Sequence, residues 1–171
     1  MRLSRAFLPG LGIAAVIVIL DQISKWYVVE VVMNPPRTIE ITPFFNLVMG
    51  WNRGVSFGLF NVDSPVTVWL LPAIAGVIVV VLAVWLSRVD RLLLGAALGF
   101  IVGGAIGNII DRLRFGAVAD FLDVHAMGFH WPAFNIADTM ITVGAAVLIF
   151  DSLFVRAQPG KREQGNERKK R

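Results

Sequence analysis

Residues 66–86 read VTVWLLPAIAGVIVVVLAVWL. No charged side chain interrupts this run. It has the length of roughly 20 residues that a helix needs to cross a bilayer. Trp69 and Trp85 stand near its ends, where indole rings sit at a membrane–water interface. The stretch therefore reads as a transmembrane helix. Three more runs meet the same criterion: 7–32, broken by Asp21, Gln22 and Lys25; 92–110; and 137–155. The expected fold is an all-α membrane protein with four transmembrane helices.

The composition agrees. The chain has 171 residues, for which one domain is the prior. Hydrophobic residues make up 56%, charged residues 16%, and the mean hydropathy is +0.70. Soluble domains carry about a quarter charged residues. There is no cysteine, which excludes disulfides, thiolate metal sites, a cysteine nucleophile and lipidation on cysteine. The net charge is +4, but the basic residues crowd the ends of apolar runs. That pattern speaks for membrane orientation and not for nucleic acid. The first run follows Arg2 and Arg5 and so imitates a secretory signal. It is too long and lacks a small-residue cleavage site, so it reads as an uncleaved span.

The joints set the expected topology. Arg2 and Arg5 precede the first span, Arg88 and Arg91 fill the short second joint, and Arg156, Lys161, Arg162, Arg168, Lys169, Lys170 and Arg171 crowd the tail. Four spans put these regions on one side, and positive charge marks that side as cytoplasmic. The expectation is a four-span integral membrane domain over 1–155 and a basic, disordered cytoplasmic tail over 156–171. The connections 33–65 and 111–136 then face outward. The first is rich in β-branched and aromatic residues broken by Pro43, Gly50 and Gly54, and it reads as short strands of a small sheet on the outer membrane surface. In the third span Gly95, Gly99, Gly103 and Gly107 recur every fourth residue and line one face, where glycine permits close helix packing.

Ionisable residues inside a span are costly and point to function. Asp21 lies ~24 Å beyond Arg5 at ~1.5 Å per residue, near the outer interface. Lys25 follows it by four, the spacing of a helical ion pair. Asn108, Asp111 and Arg112 close the third span, and Asp138 opens the fourth. Asp120, Asp123, His125 and His130 lie between. All meet at one depth. Asp151 stands apart in the inner half of the fourth span, with a structural role reaching toward Arg156. Simpler readings exist for each: Asp21–Lys25 as a structural pair, Asp111 and Arg112 as a helix end in solvent, Asn135 and Asp138 as a capping box, and Asp123, His125 and His130 as a weak metal signal. Asp120 has no helix to cap. If the intervening loop folds back, Asp120 and Asp138 meet, and two carboxyls in contact cannot both ionise: one keeps a proton while the other acts as base. Which starts ionised is left open, since such a pair titrates together.

The stretches GGAIGNIIDRLRFGAVADFLDVH (103–125), WPAFNIADTMITVG (131–144), DQISKW (21–26) and FFNLVMGWNRGVSFGLF (44–60) together resemble the lipoprotein signal peptidase family, also called signal peptidase II, over about residues 11–153. The resemblance implies a bacterial inner-membrane aspartic endopeptidase with four transmembrane helices, an extracytoplasmic β-cradle and a periplasmic helix. It implies a partner: a prolipoprotein cut just before a cysteine that already carries diacylglycerol, in membrane lipid. It implies Asp120 and Asp138 as catalytic residues, supported by Asn108, Asp111, Arg112, Asn135, Asn52, Arg53, Gly54, Asp21 and Lys25. No cofactor or metal is expected. The rival reading is a small proton- or cation-coupled transporter using Asp21, Lys25 and Asp151. It calls for charges near the bilayer midplane, whereas these cluster at the outer surface. A helix-association scaffold leaves the aspartates without a role.

Overall fold

The structure, a computed structural model, describes residues 3–54 and 65–155. Arg2, the 55–60 end of the FFNLVMGWNRGVSFGLF stretch, and the basic tail 156–171 lie outside the described residues. Among the described residues four helices are long and apolar enough to cross a membrane: Phe7–Val32, Trp69–Leu86, Leu92–Phe115 and Ile136–Phe154.

Helix α1 covers Phe7–Tyr27 and continues as a π-helical turn over Val28–Val32. Helix α2 covers Pro65–Leu86 and α3 covers Leu92–Phe115. Helix α4 covers Ile136–Phe150, followed by a π-helical turn over Asp151–Val155. The third span was expected to stop at Ile110 and runs five residues further. Asp111 does not end it, because its carboxylate is paired inside the bundle. The helix stops where Gly116 adopts φ +70° and donates its N–H to the Arg112 carbonyl at 3.0 Å, a left-handed C-terminal cap.

Helix α3 is the hub, packing against α1, α2 and α4. Its glycines make this possible. A Cβ on Gly99 would lie 2.5 Å from the Gly10 carbonyl oxygen, and one on Gly103 would lie 2.7 Å from that of Ala14. Gly104 does the same on the other flank, 2.5 Å from the Ala137 carbonyl oxygen. Backbones thus touch where side chains would stand, as packing in lipid requires.

At one end of the bundle Leu86, Val89, Leu94 and Leu98 form an apolar cluster. There Ser4 Oγ donates to the Leu86 carbonyl at 2.9 Å, and Arg91 meets Asp151 through two contacts of 2.7 Å. The Asp151 partner is therefore Arg91. Arg156, the expected one, lies outside the described residues. Arg91 caps the start of α3 and reaches Asp151 at the end of α4, so the ion pair joins two helices.

The opposite end carries a four-stranded antiparallel sheet in the order β1-β2-β3-β4, with β1 Ile39–Thr42, β2 Phe45–Asn52, β3 Val118–Ala126 and β4 Phe129–His130. The first connection forms strands as expected. The second supplies β3 and β4, for which no strand was expected, and no helix implied by the resemblance forms in either connection among the described residues. A second apolar cluster of Val28, Met33 and Phe121 seats the sheet on the end of α1.

Candidate active site

The site starts with a local rule. Asn135 precedes α4 in extended conformation, and its Oδ1 accepts the Asp138 N–H at 3.0 Å. In return Asp138 Oδ2 accepts the Asn135 N–H at 3.3 Å. This reciprocal capping box satisfies two of the amides that a helix start leaves unpaired. It also fixes the Asp138 carboxyl. Its other oxygen, Oδ1, accepts from Asn108 Nδ2 at 2.8 Å.

Asp120 arrives from the sheet. It lies on β3 opposite Gly50 of β2, and a Cβ on Gly50 would lie 3.3 Å from the Asp120 carbonyl oxygen. Asn52 pairs with Val118, two residues from Asp120 on the same face, and its side chain bonds the Asp120 carboxyl. Asn52 Oδ1 meanwhile accepts the Gly54 N–H at 2.8 Å. Gly54 has φ +91°, and a Cβ there would strike Leu71 and stand 3.9 Å from Arg112 Nη2.

Asn135 joins the two carboxyls. Its Nδ2 donates to Asp120 Oδ1 at 2.7 Å, with longer contacts of 3.3 Å to Asn108 Oδ1 and the Ala119 carbonyl, while its Oδ1 holds the Asp138 amide. Asn135 is fully buried and Asp120 is 3% exposed. Burial pushes the Asp120 carboxyl up to about 6. A bond from Asn52 opposes the rise, the Asp138 charge adds to it, and Asn135 and Lys25 oppose it further.

A buried ion cluster braces these groups from α1 and α3. Lys25 Nζ lies 2.8 Å from Asp21 Oδ2 and 2.9 Å from Asp111 Oδ2, and donates to Asn108 Oδ1 at 3.0 Å. Asp21 Oδ1 accepts the Ala137 N–H at 3.0 Å, so α1 grips the first turn of α4 beside Asp138. Asp111 Oδ2 accepts the Ala119 N–H at 3.2 Å, one residue before Asp120. Arg112 Nη1 reaches the Asn108 carbonyl at 3.4 Å.

The family model described as "Signal peptidase (SPase) II" matches residues 13–154.

The chain belongs to the signal peptidase II family.

The lipoprotein signal peptidase of Methylobacterium sp. (strain 4-46) is 40% identical over 155 residues, covering 90% of this chain and 94% of that protein. The lipoprotein signal peptidase of Rhodopseudomonas palustris (strain ATCC BAA-98 / CGA009) is 44% identical over 150 residues, covering 84% and 92%. A solved structure described as "Bacterial membrane enzyme structure by the in meso method at 1.9 A resolution" superposes with a TM-score of 0.77 at 29% identity, covering 90% of this chain and 98% of that one. This is a multi-pass membrane protein of the signal peptidase II kind, a peptidase, and the transporter reading falls away. Its charges agree: Asp21 and Lys25 are spent on each other and on α3, and Asp151 is held by Arg91 at the far end.

The structure brings Asp21, Lys25, Asn52, Gly54, Asn108, Asp111, Arg112, Asp120, Asn135 and Asp138 into one connected region at the sheet end of this signal peptidase. Arg53 borders a separate groove with Trp51, Phe115 and Ala117. Asp111 is not a helix end in solvent; it is fully buried. Asp123, His125 and His130 stand aside from the region. His130 Nδ1 lies 2.9 Å from Asp123 Oδ2, the two imidazoles stack at 4.7 Å, and no three His, Asp or Glu side chains are grouped to hold a metal among the described residues.

One participant was missed. Gln22 Nε2 donates to Asp111 Oδ1 at 2.9 Å, and lies 3.2 Å from both the Gly107 carbonyl and Asp21 Oδ2. It links α1 to α3. A polar residue within an apolar run, three before Lys25 and so on its face, was the signal for it.

Proposed function

We propose that the protein is an aspartic endopeptidase that removes the signal peptide from diacylglyceryl-modified prolipoproteins, cutting just before the lipid-modified cysteine. The observation that carries the reading is Asn135, whose one side chain holds both the Asp120 carboxyl and the Asp138 amide. Two carboxyls a single side chain apart, at the membrane end of a peptidase, suit water activation without a metal.

Asp120 is the acid and Asp138 the base. Burial keeps the proton on Asp120 up to about pH 6. Asp138 sits at the positive end of α4 with amide donors on both oxygens, a setting for negative charge. Asp138 takes a proton from water as its oxygen attacks the carbonyl carbon preceding the cysteine. Asp120 gives its proton to the carbonyl oxygen, and a tetrahedral diol forms. The C–N bond then breaks. The cysteine nitrogen leaves with the proton from Asp138, and a diol hydroxyl returns a proton to Asp120. Asn108, Asn135 and Asn52 orient the carboxyls. The Asp21–Lys25–Asp111 cluster and Gln22 set the distance between α1, α3 and α4. The acyl chains stay in the bilayer while the signal helix lies against the spans. The sheet lies on the extracytoplasmic face.

The test is cleavage of a diacylglyceryl prolipoprotein by Asp120→Asn and Asp138→Asn in vesicles. Loss of acid–base function alone is worth about 10²–10⁴-fold, so each variant is expected to fall at least that far while remaining membrane-inserted. Near-normal activity in either one overturns the dyad. EDTA is expected to leave the rate unchanged.

A further inference from the structure

After Asp123 the next charged residue is Asp138; between them the chain reads VHAMGFHWPAFNIA. The first half of this stretch is the β3–β4 hairpin. Its apolar side chains point away from the protein: Met127 is fully exposed, Phe129 is 70% exposed and Trp131 61%. Phe44, whose carbonyl accepts the His125 N–H at 2.9 Å, adds another exposed ring beside them. The tip is strained. Met127 has φ +52° and Gly128 φ +80°, the positive pair of a tight hairpin turn where Asn or Asp ordinarily precedes glycine. A methionine in left-handed conformation is disfavoured, and its exposed side chain recovers nothing from packing within the chain.

The hairpin root is stiff. Asp123 accepts from Asn46 Nδ2 at 3.1 Å and contacts His130 Nδ1 at 2.9 Å, so β2, β3 and β4 are tied together below the tip. The segment leaving β4 then runs beside a span. Trp131, Pro132, Ala133 and Phe134 share a groove of about 490 Å³ with Asp138, Thr142 and Val143 of α4. Thr142 and Val143 lie ~10 Å along α4 from its Asn135 cap, at ~1.5 Å per residue, inside the membrane-crossing stretch Ile136–Phe154. The exposed aromatic patch is thus continuous with a surface that already faces acyl chains.

We propose that the tip of the β3–β4 hairpin is a membrane-inserted element, with Met127, Phe129 and Trp131 entering the interfacial layer of the leaflet on the sheet side and bilayer lipid as the partner that covers them. The segment favours the transfer: it bears no Asp, Glu, Lys or Arg, and indole rings favour this layer. A contiguous exposed apolar patch on a water-facing surface invites association, and here the nearest apolar phase is the membrane itself. The element steadies the Trp131–Phe134 segment, and through it Asn135.

The chain lacks cysteine, so Met127→Cys carries the sole thiol for a nitroxide label, and Phe129→Cys repeats the reading at a neighbouring exposed position. The full chain is placed in phosphatidylcholine–phosphatidylglycerol vesicles, and collision of the label with oxygen is compared with collision with a water-soluble nickel chelate. Glu40→Cys on β1 is the water-facing reference. The expected result is several-fold greater oxygen than nickel access at 127 and 129, with the order reversed at 40. Nickel access at 127 equal to that at 40 overturns the proposal. So does shielding that appears only on adding a prolipoprotein peptide, which assigns the tip to substrate, or shielding that grows with protein density, which assigns it to a second copy. The readout needs no turnover and is independent of the aspartyl mechanism.

Discussion

At the scale of single residues, Asp138 has two tasks that compete for its oxygens. Oδ2 closes the capping box and Oδ1 meets Asn108. The cap was legible because it depends on an i, i+3 spacing alone. Asn52 beside Asp120 was reached only through the family resemblance, because its place depends on the register of β2 against β3 and no short window of sequence encodes register. Asn52 also gives the sharpest pH test. Asp120 keeps its proton below about pH 6 and loses it above. As the proposed acid it works only when protonated, so on that mechanism kcat/KM is expected to fall above pH 6, approaching tenfold per unit. In Asn52→Ala the carboxylate loses a bond that favours the charged form. The Asp120 pKa then rises, and the falling limb moves to higher pH. A pH–rate profile in vesicles reads this, and a limb that stays or moves down counts against Asp120 as the acid.

At the scale of elements, α3 is where small changes have large effects. Gly103 and Gly104 face backbone carbonyls of different helices at 2.7 and 2.5 Å from where a Cβ would stand. Backbone cannot step aside as a flexible side chain can. Gly103→Ala and Gly104→Ala are each expected to lower thermal stability by about 1–3 kcal/mol, the usual cost of overpacking. Gly76 of α2 has nothing within 4 Å of its Cβ position. Gly76→Ala is expected to leave stability unchanged or raise it by up to about 1 kcal/mol, since alanine is the better helix former. Melting curves in detergent compare the three. The four-residue glycine period was visible in sequence, whereas strand β3 was not. Val118, Ala119, Asp120 and Phe121 are all buried, so the period-two alternation that marks a half-buried strand is missing. The end of α3 was misplaced for a related reason: Asp111 reads as a terminus until its partner Lys25, on another helix, is known.

At the scale of the whole molecule, hydropathy alone located the four spans, because lipid demands an unbroken apolar length. It could not reveal that polar groups from three of them form a single cluster. The proposed orientation rests on charge: Arg88 and Arg91 lie in the tight turn between α2 and α3, at the end remote from the sheet. The expected outcome for single-cysteine variants in intact cells is that Glu40→Cys reacts with a membrane-impermeant maleimide and Arg88→Cys reacts only after permeabilisation. The reverse pattern inverts the topology.

The Lys25 cluster also bears on how the molecule is made. Asp21 and Lys25 pair within α1 itself at 2.8 Å, so α1 carries these two charges already matched before α3 and α4 pack against it. Its other partners are encoded far downstream: Asn108 lies 83 positions after Lys25, and Ala137 lies 116 after Asp21. Helix α1 is therefore a half-socket that α3 and α4 together fill. A chain lacking α4 would carry the Asp21 carboxylate without the Ala137 amide and Asn108 without Asp138, so on the proposed mechanism such a chain is expected not to cut.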